Sequence, residues 1–175
     1  TTDDIVDGNT SSLAALMADL GADGRISLRE AMLAANNTAN APGGADHILF
    51  NIPDALVGGD HEITVSSALP HITDAVVIDA SSEPDVAANG GRPVVVLEGN
   101  GQASDGLTID ASGSNSTIRG LAIRRFNGSG IHLMAGADNN VIAGNLIGAL
   151  NVTGDYGGAG LFNTWHGVWV EGANN

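Results

Sequence analysis

Gly106-Leu107-Thr108-Ile109-Asp110 and Gly130-Ile131-His132-Leu133-Met134 are two copies of one segment set 24 residues apart. From that anchor the flanking residues stay in step: Asn115 meets Asn139, Ile118 meets Ile142, Gly120 meets Gly144, Ile123 meets Ile147 and Asn127 meets Asn151. A third copy opens at Gly167-Val168-Trp169-Val170-Glu171, 37 residues after Gly130, and so carries a 13-residue insertion. Self-similarity at a fixed period marks a solenoid, in which each unit completes its core only by stacking on the next.

Within one unit the apolar runs are Leu107-Thr108-Ile109, Thr117-Ile118-Arg119 and Leu121-Ala122-Ile123, with Gly or Asn at the corners. Such runs are too short for helices, and their β-branched content suits strands. Three strands per turn predict a triangular coil whose successive turns pair in parallel at about 4.8 Å. Leu107 and Ile109 then point inward over Ile131 and Leu133, and over Val168 and Val170. Thr108, His132 and Trp169 fall in one outer row, and Asp110, Met134 and Glu171 in the next. The fold class is therefore all-β, a parallel β-helix. A sandwich or jelly roll is also all-β, but neither predicts a fixed period with aligned asparagines. Those asparagines are expected to stack as amide ladders from coil to coil.

Upstream, Glu62-Ile63-Thr64-Val65, Ala75-Val76-Val77-Ile78-Asp79 and Pro93-Val94-Val95-Val96-Leu97-Glu98 continue the texture at looser spacing. Residues 81–92, rich in Ala, Asn, Gly and Pro, read as a loop. The beginning of the chain differs. Ser27-Leu28-Arg29-Glu30 is a capping box, and Leu28, Ala31, Met32 and Ala35 share one face of the helix that follows, with Asn36-Asn37 ending it. A shorter helix is predicted over residues 12–18. The division expected is one domain over residues 1–175, with a cap region at 1–45, coils at 46–175 and an aromatic insertion at 154–166. The cap helix should plug the first coil, which otherwise exposes apolar core and strand edges.

The segment Ile26-Ser27-Leu28-Arg29-Glu30-Ala31-Met32-Leu33-Ala34-Ala35-Asn36 resembles the SLREA motif that opens many large secreted and cell-surface bacterial proteins with right-handed parallel β-helices of pectate-lyase-like architecture. In that family Cys often precedes the motif; here Ile26 stands in its place. Asp46-His47-Ile48-Leu49-Phe50 is similar to the family's first strand, and Asn139-Asn140-Val141-Ile142-Ala143-Gly144-Asn145-Leu146-Ile147-Gly148 to its coil signature. The resemblance covers most of the chain. It implies a right-handed coil and an extracellular or cell-surface location, and it says little about activity, because this architecture hosts lyases, hydrolases, adhesins and passive stalks.

Composition narrows the partners. Fifteen Asp and five Glu stand against six Arg and no Lys, for a net charge of -14. Nucleic acid and anionic membranes are disfavoured by that charge, and no apolar run approaches the ~20 residues of a membrane span. With no Cys, disulfides and thiolate-ligated metals are excluded.

Enzymes on a β-helix need converging carboxylates, or carboxylates with a Lys or Arg base. Met134 interrupts the row of Asp110 and Glu171, and Arg119, Arg124 and Arg125 meet Ala143, Gly148 and Ala149 in the next coil. No catalytic residue is assigned. Residues 19–30 partly match a calcium loop, with Asp19 at position one, Asp23 at five and Glu30 at twelve, but Gly21 removes the ligand at three. Calcium is the one cofactor candidate, and the helix cap is the competing explanation of Glu30. The densest anomaly lies late in the chain, where Tyr156, Phe162, Trp165 and His166 approach Trp169 and His132. Tryptophan is favoured at interfaces and as a platform for ligands, although a loop can also bury its own aromatics.

The expected function is a non-catalytic extracellular structural or adhesive module. The alternatives are a polysaccharide-active lyase or hydrolase and a calcium-dependent carbohydrate-binding module. The expected partners are a surface polysaccharide or further copies joined end to end, since the third copy stops where its predecessor enters a second strand. A polypeptide continuing with more coils is the other expectation for that end.

Overall fold

Glu30 organises the N-terminal region of the computed structural model, which describes residues 1–101, 104–148, 160–172 and 174–175. The Ser27 hydroxyl accepts from the Glu30 N–H and the Glu30 carboxylate accepts from the Ser27 N–H, closing the capping box at the head of α2 (Leu28–Asn36). Glu30 Oε1 also accepts from the N–H groups of Asp7 and Gly8, at 2.9 and 2.7 Å. The shorter α1 (Leu13–Ala18) is capped by Ser12. Leu28, Met32 and Ala35 of α2 enter the same buried cluster as Ile48, Phe50, Ile63 and Val65. The apolar face of α2 is thus packed into the core beside the first strands.

The strands after it are short, and every pairing between them is parallel. One sheet has the order β1 (Asp46–Leu49), β3 (Val76–Asp79), β6 (Thr117–Arg119), β9 (Val141–Ala143). A second runs β2 (His61–Thr64), β4 (Val95–Glu98), β7 (Leu121–Arg124), β10 (Leu146–Ile147). The third runs β5 (Leu107–Ile109), β8 (Ile131–Leu133), β11 (Val168–Val170). The chain therefore visits the three sheets in rotation, and Ile72, bridged in parallel to Ile109, marks the third sheet's place in the first circuit. The molecule is mostly β, with parallel sheets and a few helices.

Each circuit lays one apolar residue on the last. Ile48, Ile78, Ile118 and Ile142 form one column, and Ile63, Leu97, Ile123 and Ile147 another. Ile109, Leu133 and Val170 form the third. Mid-column residues such as Ile118 and Ile123 are fully buried, whereas Val170 at the end of its column is 46% exposed. Ile142, expected in the core, is only partly buried, because among the described residues no strand pairs with the far side of β9. Gly106 is required by the same close stacking: a Cβ there would lie 2.4 Å from the Gly130 carbonyl oxygen.

Two expectations are corrected. Residues 81–92 are not a plain loop: a 3-10 turn spans Ala80–Ser82 and a single helical turn, α3, spans Asp85–Ala88. Asp79 nucleates the first by accepting from the Ser81 N–H, and Pro84, with its fixed φ and missing N–H, suits the start of the second. Nor do the Asn115 and Asn139 side chains bond to each other. Asn115 and Asn139 sit at φ of 69° and 58°, so they are corner residues chosen for left-handed backbone. The coil-to-coil bonding runs one position later, where Asn140 Oδ1 accepts from Ser116 N–H and Asn175 Oδ1 accepts from Asn140 N–H. Asn127 bonds Thr164; its expected partner Asn151 lies outside the described residues.

Asp79 also ties the first sheet together through Arg119, its register partner on β6. Burial alone would raise this carboxyl, but hydrogen bonds from Arg119 and Ser81 and the Arg119 charge outweigh burial and hold it below its ordinary value of 3.8. A depressed carboxyl stabilises the fold above the unfolded value and loses that contribution as pH falls through it. Asp46 works oppositely, raised by burial and by the charge of Asp74. Asp79→Asn should therefore be less stable at neutral pH yet lose less stability between about pH 5 and pH 3. Urea midpoints at the two pH values read this difference; parallel losses in both proteins would show that the Asp79 pair does not shape the acid limb.

Candidate functional site

Parallel register on the third sheet places Thr108, His132 and Trp169 in one row. The Trp169 indole lies flat on the His132 ring, with centroids 4.1 Å apart and planes 8° from parallel. Trp165 leans on the same indole at 6.0 Å and His166 at 5.9 Å. Trp165 remains 63% exposed, yet its backbone is fixed, because Trp165 N–H donates to the Gly128 carbonyl and Thr164 N–H to that of Phe126. Asn163 completes the anchor by accepting from Phe126 N–H and donating to the Ile123 carbonyl.

His132, expected to face solvent, is only 8% exposed. Asp105 meets its Nδ1 at 2.9 Å and Glu171 its Nε2 at 3.0 Å. Carboxylates only accept, so both bonds form together when the ring carries a proton on each nitrogen. Asp105 also takes the Ser129 N–H. The repeat places Glu171 in a separate row, and composition alone does not mark Asp105. The signal was present, since Asp105, Ser129 and His166 each immediately precede the glycine that opens a copy.

Other candidates do not join this cluster. Phe162 is 55% exposed and makes none of the ring contacts found among the described residues. Tyr156 lies outside the described residues, as does the insertion up to residue 159. Asp19, Asp23 and Glu30 do not converge into a ligand group among the described residues. Glu30 is spent on the cap and on Asp7 and Gly8, while Asp19 and Asp23 cap the turns at Gly21 and Arg25.

A second charged site spans the second sheet. Arg124 reaches Glu98 at 3.1 Å, Glu62 at 2.8 Å and Asp60 at 4.0 Å, and Arg125 meets Glu98 at 3.4 Å. Burial raises the Asp60 carboxyl despite the Arg124 charge. Glu98 is almost completely buried, so losing the nearest cation strands its charge. Replacing Arg124 with Met should cost about 3–5 kcal/mol, read as a lower urea midpoint; an unchanged midpoint would show that Arg125 alone suffices.

Comparison with protein-family models, with curated proteins and with solved structures finds no match to this chain.

Proposed function

We propose that the chain forms a right-handed parallel β-helix and serves as a non-catalytic extracellular or cell-surface module, structural or adhesive, whose Trp165–Trp169 face holds a neutral polysaccharide. Support for the coil comes from the rotation of the chain through three parallel sheets, since parallel crossovers are right-handed in nearly all proteins. The resemblance to SLREA proteins supports the location. The observation that carries the binding role is an exposed, backbone-anchored Trp165 beside a braced Trp169 in a chain with only 3% aromatic residues. Indole faces stack on the apolar faces of sugar rings, and a net charge of -14 favours neutral glycans over acidic ones.

The test is intrinsic fluorescence during titration with cello-, chito- and manno-oligosaccharides. At least one series should change the tryptophan emission saturably, and Trp165→Ala should weaken that binding at least tenfold. No saturable change with any of the three would overturn the glycan reading.

Two observations favour other readings. Asp60, held up by burial beside Arg124, is where a lyase or hydrolase would keep its acid. The outer edges of β9, β10 and β11, with Val141, Val168 and Val170 exposed, offer a seat for another parallel coil, from a second copy or from further polypeptide. Light scattering that rises with concentration would favour joining of copies.

A further inference from the structure

The neighbourhood of β2 and α3 contains a group of side chains that the aromatic face does not use. His61, on β2, is 2% exposed; Glu83, just before α3, is 3% exposed. Asp85 opens α3 with a side chain 42% exposed. One ligand atom from each lies within 4.8 Å of the other two. His61 Nε2 is 3.1 Å from Asp85 Oδ2 and 3.9 Å from Glu83 Oε1.

Electrostatics argue that this arrangement wants a cation. Glu83 is a buried carboxylate without an Arg partner among the described residues; His61 is the only group of opposite potential beside it. Its Oε2 is satisfied by the Ile52 N–H at 2.8 Å. Its Oε1 lies 3.9 Å from His61 Nε2, too far for a hydrogen bond between the two. A protonated His61 gives its single Nε2–H to Asp85, so Glu83 takes no hydrogen bond from that ring. Nδ1 has no partner among the described residues either way, so it does not discriminate. Burying an uncompensated carboxylate is costly, and one imidazole proton cannot serve two carboxylates.

We propose that His61 Nε2, Glu83 Oε1 and Asp85 Oδ2 bind a divalent transition metal, zinc best. One imidazole and two carboxylate oxygens suit zinc. Bonds of about 2.0–2.2 Å in a tetrahedral site put neighbouring ligand atoms roughly 3.3–3.5 Å apart. The two separations from His61, 3.1 and 3.9 Å, bracket that span, and the two carboxylates lie within 4.8 Å of each other, so ligation draws them together by side-chain movement alone. Two positive charges then meet two carboxylates, and the partly exposed Asp85 leaves a route for entry and a fourth position for water. The metal clamps the turn before α3 onto the second sheet, which makes its role stabilising.

Calorimetric titration of the chelator-treated full chain with zinc chloride tests this, with thermal melting in parallel. One site per chain and a melting temperature raised by several degrees are expected. Asp85→Asn, at a partly exposed position that should not disturb folding, should weaken zinc binding at least tenfold, and His61→Gln should abolish it. Calcium chloride should produce little heat, since imidazole is a poor calcium ligand. Absence of stoichiometric zinc binding in the wild-type chain overturns the proposal. So does zinc binding that Asp85→Asn leaves unchanged, which would assign the metal to other histidines.

Discussion

Ile118→Ala is expected to destabilise the protein by about 3–5 kcal/mol, and Ile142→Ala, one coil on, by less than about 1.5 kcal/mol. Both isoleucines occupy the same place in the repeat and pair with each other across β6 and β9. They differ in what lies beyond. Ile118 is clasped between Ile78 and Ile142 and is fully buried, so truncation opens a cavity closed on both sides, which cannot collapse. Among the described residues Ile142 has a column neighbour on one side only, and its removal leaves a dent that water can fill. Chemical denaturation of the two variants measures the difference directly. Equal losses would mean that Ile142 is covered in solution, and losses below about 1 kcal/mol at Ile118 would refute the column.

Glu30→Ala should rival that first variant, with a loss of about 3–5 kcal/mol. Glu30 is 1% exposed and its two oxygens accept from the backbone N–H groups of Asp7, Gly8 and Ser27 and from the Ser27 hydroxyl. Alanine strands three backbone donors around a void and frees the head of α2, whose Leu28 and Met32 close the core. Glu30→Gln keeps one accepting oxygen and should fall between the two. Melting of the chelator-treated wild type should be the same before and after calcium is added if Glu30 serves the cap alone; a calcium-dependent rise lost in Glu30→Ala would assign the residue to a metal loop instead.

The architecture was legible wherever apolar residues recur at a fixed interval, because backbone pairing copies that interval into space. The pairs Leu107–Ile131, Ile118–Ile142 and Ile123–Ile147 are in the structure's register, and the capping box marked the start of α2. The corners were legible only in part. Asn115 and Asn139 stand at equivalent positions because both need positive φ, and aligned identity does not separate that demand from side-chain stacking. The short helix at Asp85–Ala88 carries no periodic apolar face, so its composition read as loop.

Site residues divide along the same line. Trp165, Trp169, His132 and His166 stood out by rarity and position, and three-dimensional stacking groups them. Asp105 and Glu171 were harder to find because their bonds to His132 cross from one row to another, while a repeat alignment relates residues within a row. His61, Glu83 and Asp85 meet where an irregular turn folds over the second sheet, outside the regular period altogether.

One incubation separates binding from chemistry, and so tests the non-catalytic glycan-binding reading most directly. The protein is mixed with cellulose, chitin or mannan; its depletion from solution and the reducing ends released into solution are measured together. We expect depletion on at least one polymer, lost in Trp165→Ala, with no rise in reducing ends over a protein-free control. Time-dependent release of reducing ends that Trp165→Ala retains and Asp60→Asn removes would contradict the account and move the function to the Arg124 network.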